Sequence, residues 1–173
     1  MTDVAAGSQV AHERRASALA VLGGVMDPEV PVLSVVELGI VRDVEDDGAR
    51  LTVVVTPTYS GCPAMRTIEE EIVGALAAAG FADSRVRTVY APAWTSDWIA
   101  PDAREKLRAY GIAPPTRGES DELVPLLRRA PSVACPYCGS SRTEMRSEFG
   151  STACKATLFC NSCRQPFEQF KAI

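Results

Sequence analysis

Histidine is the residue type that this sequence most clearly lacks, since it occurs once in 173 residues. The single histidine, His12, lies in the first helix predicted below and far along the chain from the cysteine pairs near the C-terminal end. We interpret it as a surface residue and not as a metal ligand. Nothing in the sequence places it beside a cysteine, so a cysteine–histidine catalytic pair is not indicated.

Long apolar runs and a strong excess of one charge are also missing. No stretch of about 18 apolar residues occurs, which excludes a membrane-spanning helix. The first fifteen residues lack the apolar centre of a secretory signal, so we expect a cytoplasmic protein. The net charge is −4, which argues against attraction to nucleic acid or to an anionic membrane. The Glu-x-x-His pairs of di-iron helical bundles and a dinucleotide-binding fingerprint are absent as well.

Cysteine and charge are distributed unevenly along the chain. Residues 1–130 contain 13 basic residues, 19 acidic residues and one cysteine, Cys62. Residues 131–173 contain five basic residues, three acidic residues and the other five cysteines. In a reducing cytosol, such a cysteine-rich tail is expected to bind metal and not to form disulfides. The sequence therefore predicts an acidic body followed by a slightly basic, metal-binding tail.

The apolar periodicity of the body predicts a small α+β domain over residues 1–111. Its expected elements are a helix over 8–24, a hairpin of strands 40–44 and 51–55, a helix over 63–79, a strand over 86–90 and a helix over 103–110. Pro63 is expected at the first position of the second helix, where proline is favoured. The proline-rich residues 112–132 are predicted to be a linker, and residues 133–173 a second domain.

Four of the tail's cysteines form two CxxC pairs, Cys135–Cys138 and Cys160–Cys163, which are separated by 21 residues. Two intervening residues allow a tight turn to direct both sulfurs of a pair at one ion, and Gly139 can supply the positive φ that closes such a turn. Two pairs provide the four thiolates of a tetrahedral structural zinc site, and the intervening chain is long enough for one hairpin. A tail of about 40 residues buries too little apolar surface to fold without the metal.

Other interpretations of the tail cysteines remain open. The paired cysteines could be free or redox-active thiols, and a four-sulfur iron centre would use the same ligands as zinc. The fifth sulfur, Cys154, is interpreted as a spare or buried thiol. A four-sulfur ribbon of this kind is more often a structural or protein-docking module than a catalyst.

Cys62 lies where a strand is followed by a turn and a helix, so it is predicted at or beside the helix N-cap. The helix dipole and the free amides there stabilise an anion, and an ionised thiol can bind a soft metal or attack an electrophile. The alternative is a small residue that merely suits the turn. Asp27 and Glu29, in the irregular loop after the first helix, are candidate docking or supporting groups, with helix-end and turn chemistry as the alternative. One thiolate is too few for a permanent cluster, so further ligands would come from a carboxylate, a second subunit or a partner.

Several segments resemble known families. Residues 27–34, 37–41, 56–58 and 61–63 resemble the SufT-like iron–sulfur maturation domain. Residues 92–98, 109–115, 135–138, 149–155, 160–163 and 167–171 are similar to the PaaD-type subunits of bacterial phenylacetyl-CoA epoxidase. The second resemblance spans nearly the whole chain and includes both the body and the tail.

The resemblance implies an accessory factor for metal-centre maturation, in which Cys62 holds iron or an iron–sulfur cluster transiently and the loop from Asp27 to Glu29 belongs to the family motif. It implies the oxygenase and reductase components of the epoxidase system as partners, and a homo-oligomer is compatible with it. The main alternative is a stoichiometric, non-catalytic subunit of the oxygenase complex. A nucleic-acid-binding ribbon is disfavoured by the acidic body and the weak charge of the tail. An independent thiol enzyme is disfavoured by the absence of a base for Cys62.

Overall fold

The computed structural model describes residues 3–116 and 132–173 of the chain. These residues form two compact units that divide between Trp94 and Thr95. Most of the predicted linker, residues 117–131, lies outside the described residues. None of the described helices combines the length and the apolar character needed to cross a bilayer.

The first unit contains two helices and a three-stranded sheet. Its elements are α1 (Asp3–Leu22), β1 (Val41–Asp46), β2 (Leu51–Val55), α2 (Met65–Ala78) and β3 (Ser84–Thr88). The strand order is β1-β2-β3, with β2 antiparallel to β1 and parallel to β3. A parallel pair requires a crossover connection, and α2 provides it between β2 and β3.

Strand β2 is the centre of the first core. All five of its residues are buried, as expected for a strand that is covered on both faces. Helix α1 contacts β1 and α2, and α2 contacts β3. The buried side chains of α2 are Ile68, Ile72 and Leu76, which recur every four residues and therefore share one helix face. The helix–hairpin–helix–strand order predicted from the sequence is confirmed.

The described residues of the second unit form a short 3₁₀ turn, a helix and a four-stranded sheet. Its elements are the 3₁₀ turn (Ser96–Trp98), α3 (Pro101–Tyr110), β4 (Ile112–Ala113), β5 (Thr143–Ser147), β6 (Lys155–Cys160) and β7 (Pro166–Phe170). The strand order is β4-β7-β6-β5; β4 is parallel to β7, and the other neighbours are antiparallel. The β5–β6 pair is the hairpin expected between the two cysteine pairs.

The division of the chain differs from the predicted boundaries 1–111, 112–132 and 133–173. Helix α3 lies in the second unit, although the sequence prediction assigned it to the first domain. Ile112 and Ala113, expected in the linker, are buried and pair with Glu168 and Gln169 of β7. The physical reason is that Gly111 ends α3 with a φ of +94° and reverses the chain, so that two apolar residues reach the edge of the ribbon sheet.

The core of the ribbon sheet lies on one face of β6. Ala156, Leu158 and Cys160 alternate along this strand and are each at most 3% exposed. They belong to one buried cluster, whose other members are Ala113, Val133, Cys135 and Phe167. Two of the four paired cysteines are therefore part of the apolar core, so packing contributes to their position together with any bound metal.

Candidate functional site

The two cysteine pairs of the ribbon lie in turns with the same hydrogen-bond pattern. In the first turn, the N–H of Gly139 donates to the carbonyl oxygen of Cys135 at 2.9 Å. In the second, the N–H of Arg164 donates to the carbonyl oxygen of Cys160, also at 2.9 Å. Gly139 and Arg164 have φ values of +72° and +63°. The positive φ predicted for Gly139 is confirmed. Arg164 occupies the same position in the second turn, where the sequence has no glycine to signal a positive φ.

The four sulfurs of these turns converge on one point. The Sγ atoms of Cys135 and Cys163 are 3.7 Å apart, and those of Cys138 and Cys160 are 3.6 Å apart. All four Sγ atoms lie within 4.8 Å of one another. Four sulfurs placed 2.3 Å from a tetrahedral zinc ion are about 3.8 Å apart, so this donor set is suited to a single ion of that size. Iron in a mononuclear four-sulfur centre would use the same arrangement.

Burial and backbone donors distinguish the four thiols. Cys135 and Cys160 are buried, Cys163 is partly buried and Cys138 is exposed. The backbone N–H groups of Cys163 and Ser162 point at the Cys160 sulfur and lower the pKa of that thiol, whereas burial raises the pKa of the Cys163 thiol. Donors directed at a sulfur favour its thiolate form, which is the form that binds metal.

Cys154 lies outside the four-sulfur group. Its side chain is buried, and its Sγ is 3.1 Å from the hydroxyl oxygen of Thr152. This placement agrees with the interpretation of a buried structural thiol.

Cys62 lies in the turn that leads into α2. Its N–H donates to the carbonyl oxygen of Tyr59 at 3.2 Å, and its own carbonyl accepts from the N–H of Met65 at 3.3 Å. Helix α2 begins at Met65 with Ala64 as N-cap, so Cys62 precedes the cap by two residues and Pro63 is not the first helical residue. The prediction of a cysteine at or beside the N-cap is corrected accordingly. The side chain of Cys62 is partly buried.

Asp27 and Glu29 lie in the loop between α1 and β1. Asp27 is 6% exposed, and its Oδ1 accepts from the N–H groups of Glu29 and Val30, both at 2.8 Å. Asp27 therefore performs the turn chemistry that the sequence left open as the alternative. Among the described residues, only the four ribbon sulfurs form a group of three or more close ligand atoms, so Cys62, Asp27 and Glu29 do not form one.

The sequence analysis assigned no individual role to three polar residues, Ser34 and Glu37 in the loop before β1 and Thr56 after β2. Ser34 and Glu37 form a reciprocal cap, in which Glu37 Oε2 accepts from the N–H of Ser34 at 2.9 Å and Ser34 Oγ accepts from the N–H of Glu37 at 3.2 Å. Thr56, directly after β2, is 1% exposed, and its hydroxyl has no hydrogen-bond partner among the described residues. The Ser-x-x-Glu spacing of residues 34–37 was an available signal for the cap, whereas Thr56 was marked only by its place in a family-like segment.

Comparisons with known proteins agree with this two-part structure. The profile of the iron-sulfur cluster assembly protein family matches residues 15–89, and that of the PaaD zinc beta ribbon domain matches residues 119–171. The "Fe-S protein maturation auxiliary factor YitW" of Bacillus subtilis is 41% identical over 75 residues, which are 42% of this chain and 72% of that protein. The crystal structure of a domain of unknown function, DUF59, from Bacillus anthracis has a TM-score of 0.54 and 25% identity, and the match covers 58% of this chain and 96% of that one.

A relative that spans both regions identifies the family. A putative 1,2-phenylacetyl-CoA epoxidase subunit of Escherichia coli (strain K12) is 47% identical over 154 residues, which are 89% of this chain and 90% of that protein. The match therefore takes in both Cys62 and the ribbon region. The chain belongs to the PaaD family of 1,2-phenylacetyl-CoA epoxidase subunits.

Proposed function

We propose that this protein is a non-catalytic accessory factor that helps to mature a metal centre of a phenylacetyl-CoA epoxidase system. An accessory role in phenylacetate degradation is supported by the identity with a PaaD-type epoxidase subunit over most of both chains. A role in iron–sulfur or di-iron maturation is supported by the assembly-family match over residues 15–89 and by the similarity to a maturation auxiliary factor.

In this proposal, Cys62 is a transient ligand for iron or for an iron–sulfur cluster, which is cargo and not a resident cofactor. Its side chain is only partly buried, in the turn before α2, so a second protein can approach it from solvent. Binding replaces the thiol proton with the metal and releases that proton to water. Delivery is a ligand exchange, in which a thiolate or carboxylate of the receiving protein takes the place of Cys62 without any change of oxidation state. A centre held by few ligands of the carrier exchanges readily, which suits transfer.

Asp27 and Glu29 support this step in different ways. The Asp27 carboxylate holds the loop by accepting two backbone N–H groups, so its contribution is to the position of the loop. The Glu29 side chain is partly exposed and is the carboxylate we propose as an additional oxygen ligand for iron.

The ribbon has a different role in the proposal. Cys135, Cys138, Cys160 and Cys163 hold a structural zinc ion, and the folded ribbon presents a docking surface. The observation that carries this part is the convergence of four sulfurs at distances that suit one tetrahedral ion. The metal supplies stability to a small sheet, and no open coordination position is needed.

The proposed partners are the oxygenase and reductase components of the epoxidase system, in the cytoplasm. The second candidate function is a stoichiometric subunit of the oxygenase complex that acts by contact and carries no iron. The observation that favours this second function is the designation of the Escherichia coli relative as a subunit of the enzyme.

The deciding experiment compares the metal content of the purified epoxidase components from three strains. One strain carries the wild-type gene, one lacks it, and one carries Cys62→Ala. The maturation proposal predicts iron-deficient components from both altered strains. A Cys154→Ala strain is the matched control, since that thiol lies outside the four-sulfur group and should leave the iron content unchanged. Components that are full of iron in the deletion strain, but fail to assemble, would instead support the subunit function.

A further inference from the structure

The ribbon contains more cations than its own carboxylates can pair. Residues 132–173 include five basic side chains and three acidic ones. Two of the cations are paired: Arg146 forms an ion pair with Glu144, and Lys155 Nζ lies 3.3 Å from Glu168 Oε2. The other three cations have no carboxylate partner among the described residues: Arg142, Arg164 and Lys171.

Two of these cations are attached to the second cysteine turn. Arg164 closes the turn through its N–H bond to the carbonyl of Cys160, so its backbone position is set by the proposed metal site. Arg142 donates from Nε to the Ser162 hydroxyl at 3.0 Å, and its carbonyl accepts from the N–H of Asn161 at 2.8 Å. The Arg142 guanidinium is therefore held against Ser162, and the Arg164 backbone is fixed at the end of the same turn.

Phe159 brings a third guanidinium to the same place. The Arg164 guanidinium lies 5.7 Å from the centre of the Phe159 ring, and that of Arg146 lies 5.2 Å from it. Phe159 is on the face of β6 opposite to the buried Leu158 and Cys160, and it is partly exposed. A ring beneath an arginine supports its apolar stem and leaves the N–H groups directed outwards. We call Arg142, Arg146, Phe159 and Arg164 the arginine face.

We propose that the arginine face docks an acidic segment of the protein that receives the metal; this inference rests on the function proposed above. Guanidinium groups bind carboxylates in a planar, two-bonded geometry, and arginine and aromatic residues are enriched at the centres of protein interfaces. Because Arg142 and Arg164 have no internal carboxylate partner among the described residues, exposed aspartate or glutamate side chains of a partner complete their pairing. The surface is an extension of the cysteine turn, so its shape depends on the metal.

Charge argues for a protein and against a nucleic acid as the occupant. Glu144 pairs with Arg146, so the arginine face offers only two cations without a carboxylate partner among the described residues and no continuous track for a phosphate backbone. Residues 1–130 carry six more acidic than basic side chains, which adds a longer-range repulsion from a polyanion. A short acidic protein segment places a few carboxylates on the two unpaired arginines without meeting that repulsion along a continuous backbone.

The chain contains a matched control at the other end of the same strand. Lys171 also lacks a carboxylate partner among the described residues, and its Nζ lies 4.5 Å from the centre of the Phe149 ring. Its N–H donates to the carbonyl of Cys154, just before β6 begins, whereas the arginine face adjoins Cys160, where β6 ends. The two positions are about 20 Å apart at 3.3 Å per residue. A cation–ring pair remote from the cysteine turn is thus available for comparison.

The test measures binding of the full, zinc-loaded chain to the purified oxygenase and reductase components of its own epoxidase. The double variant R142E/R164E should weaken binding about tenfold or more, and the loss should diminish as salt is added. The control variant K171E reverses the matched ring-stacked cation and should stay within about twofold of wild type, whereas R164E, which changes the net charge by the same amount, should weaken binding by more than that. R164Q alone, which removes the charge without reversing it, should weaken binding about threefold and retain one zinc per chain.

Four results would overturn the inference. The first is R142E/R164E and R164Q binding as well as wild type, and the second is an equal loss in the control variant. The third is that the wild-type chain does not bind the components. The fourth is that R142E/R164E still binds the components but loses binding to duplex DNA or to a second copy of the chain. A failure of the proposed function is distinguishable, because the iron content of the components would then be independent of Cys62. If iron content depends on Cys62 but is unaffected by R142E/R164E, only the docking surface is wrong.

Discussion

The two cysteine-bearing regions differ in how completely the chain itself surrounds a metal. In the ribbon, two turns of the same hydrogen-bond pattern bring four sulfurs to within 4.8 Å of one another, and two of the sulfurs are in the apolar core. In the first unit, Cys62 is a single, partly buried sulfur before α2, and no group of three ligand atoms forms around it among the described residues. Cysteine side chains of the same chemistry can therefore serve different functions. A complete set of four sulfur donors suits a permanently bound ion, and a single donor suits an ion that is exchanged.

The largest expected effect is the loss of the ribbon when one of its ligands is removed. Cys160→Ser should abolish zinc binding and unfold residues 133–173, since structural zinc contributes about 10–16 kcal/mol of apparent binding free energy and a whole domain is stable by about 5–15 kcal/mol. Metal analysis together with amide hydrogen exchange measures both effects. The first unit should keep its protection. Ribbon amides that stay protected in Cys160→Ser would contradict the closed-site interpretation.

A smaller effect is expected from breaking the ion pair between Lys155 of β6 and Glu168 of β7. Lys155 is 4% exposed and its Nζ lies 3.3 Å from Glu168 Oε2, so Glu168→Gln removes a negative charge beside a buried ammonium and should lower the free energy of unfolding of the zinc-loaded chain by about 2 kcal/mol at neutral pH. Burial raises the pKa of the Glu168 carboxyl, but hydrogen bonds from Ser151 and the charge of Lys155 outweigh it and lower the pKa below its ordinary value.

The sign of the pH dependence follows from that lowered pKa. The stabilisation by Glu168 is present above the ordinary carboxyl pKa and is lost as the pH falls through the lowered value, where the native carboxylate takes up its proton. The difference in unfolding free energy between wild type and Glu168→Gln should therefore shrink in acid. Denaturant titrations of both proteins at several pH values measure it, and the subtraction removes the acid sensitivity of the zinc site. A difference that grows in acid would contradict the assignment.

Asp27 offers a test of the loop between α1 and β1, with an expected effect of about 1 kcal/mol. Asp27→Ala removes the acceptor of two backbone N–H groups and should cost about that much, as the loss of a helix cap does. Asp27→Asn keeps an oxygen acceptor and should cost less. Thermal unfolding of the first unit compares the two variants. Equal losses from Asn and Ala would mean that the negative charge, and not the acceptor, is what the loop requires.

The smallest pair of effects has opposite signs in the two units. Gly111 has a φ of +94°, so Gly111→Ala should destabilise the second unit by about 1 kcal/mol. Gly74 lies inside α2 with nothing within 4 Å of an added Cβ, so Gly74→Ala should stabilise the first unit by about 0.5–1 kcal/mol. Denaturant midpoints of the two variants test the pair, and a stabilising Gly111→Ala would contradict the end of α3 described above.

What the sequence predicted well was local. The hairpin β1–β2, helix α2 and the glycine-closed turn at Cys135 follow from alternation, helical periodicity and turn chemistry within a few residues. The mixed α and β fold with a cysteine ribbon is confirmed for the same reason. The two CxxC spacings carried the convergence of the four sulfurs, because each short pair already fixes two of them.

What the sequence did not predict depends on distant partners. Strand β4 is two residues long and exists only because β7 pairs with it, so Ile112 and Ala113 looked like the start of a linker. Arg164 closes the second cysteine turn at a positive φ without the glycine that usually signals it. Helix α2 starts at Met65 and not at Pro63, because the N–H of Met65 bonds to the carbonyl of Cys62 three residues back, in a tight turn that precedes the regular helix.

The division of labour between the sulfurs is tested most directly by metal analysis of anaerobically purified protein, before and after iron–sulfur reconstitution. We expect one zinc per chain in wild type and in Cys62→Ala, and loss of zinc in Cys160→Ser. Reconstitution should add iron to the wild-type protein, and Cys62→Ala should abolish this iron uptake although its ribbon is intact. Zinc-free protein with all four ribbon thiols open to alkylation, or iron uptake that is unchanged in Cys62→Ala, would contradict the account.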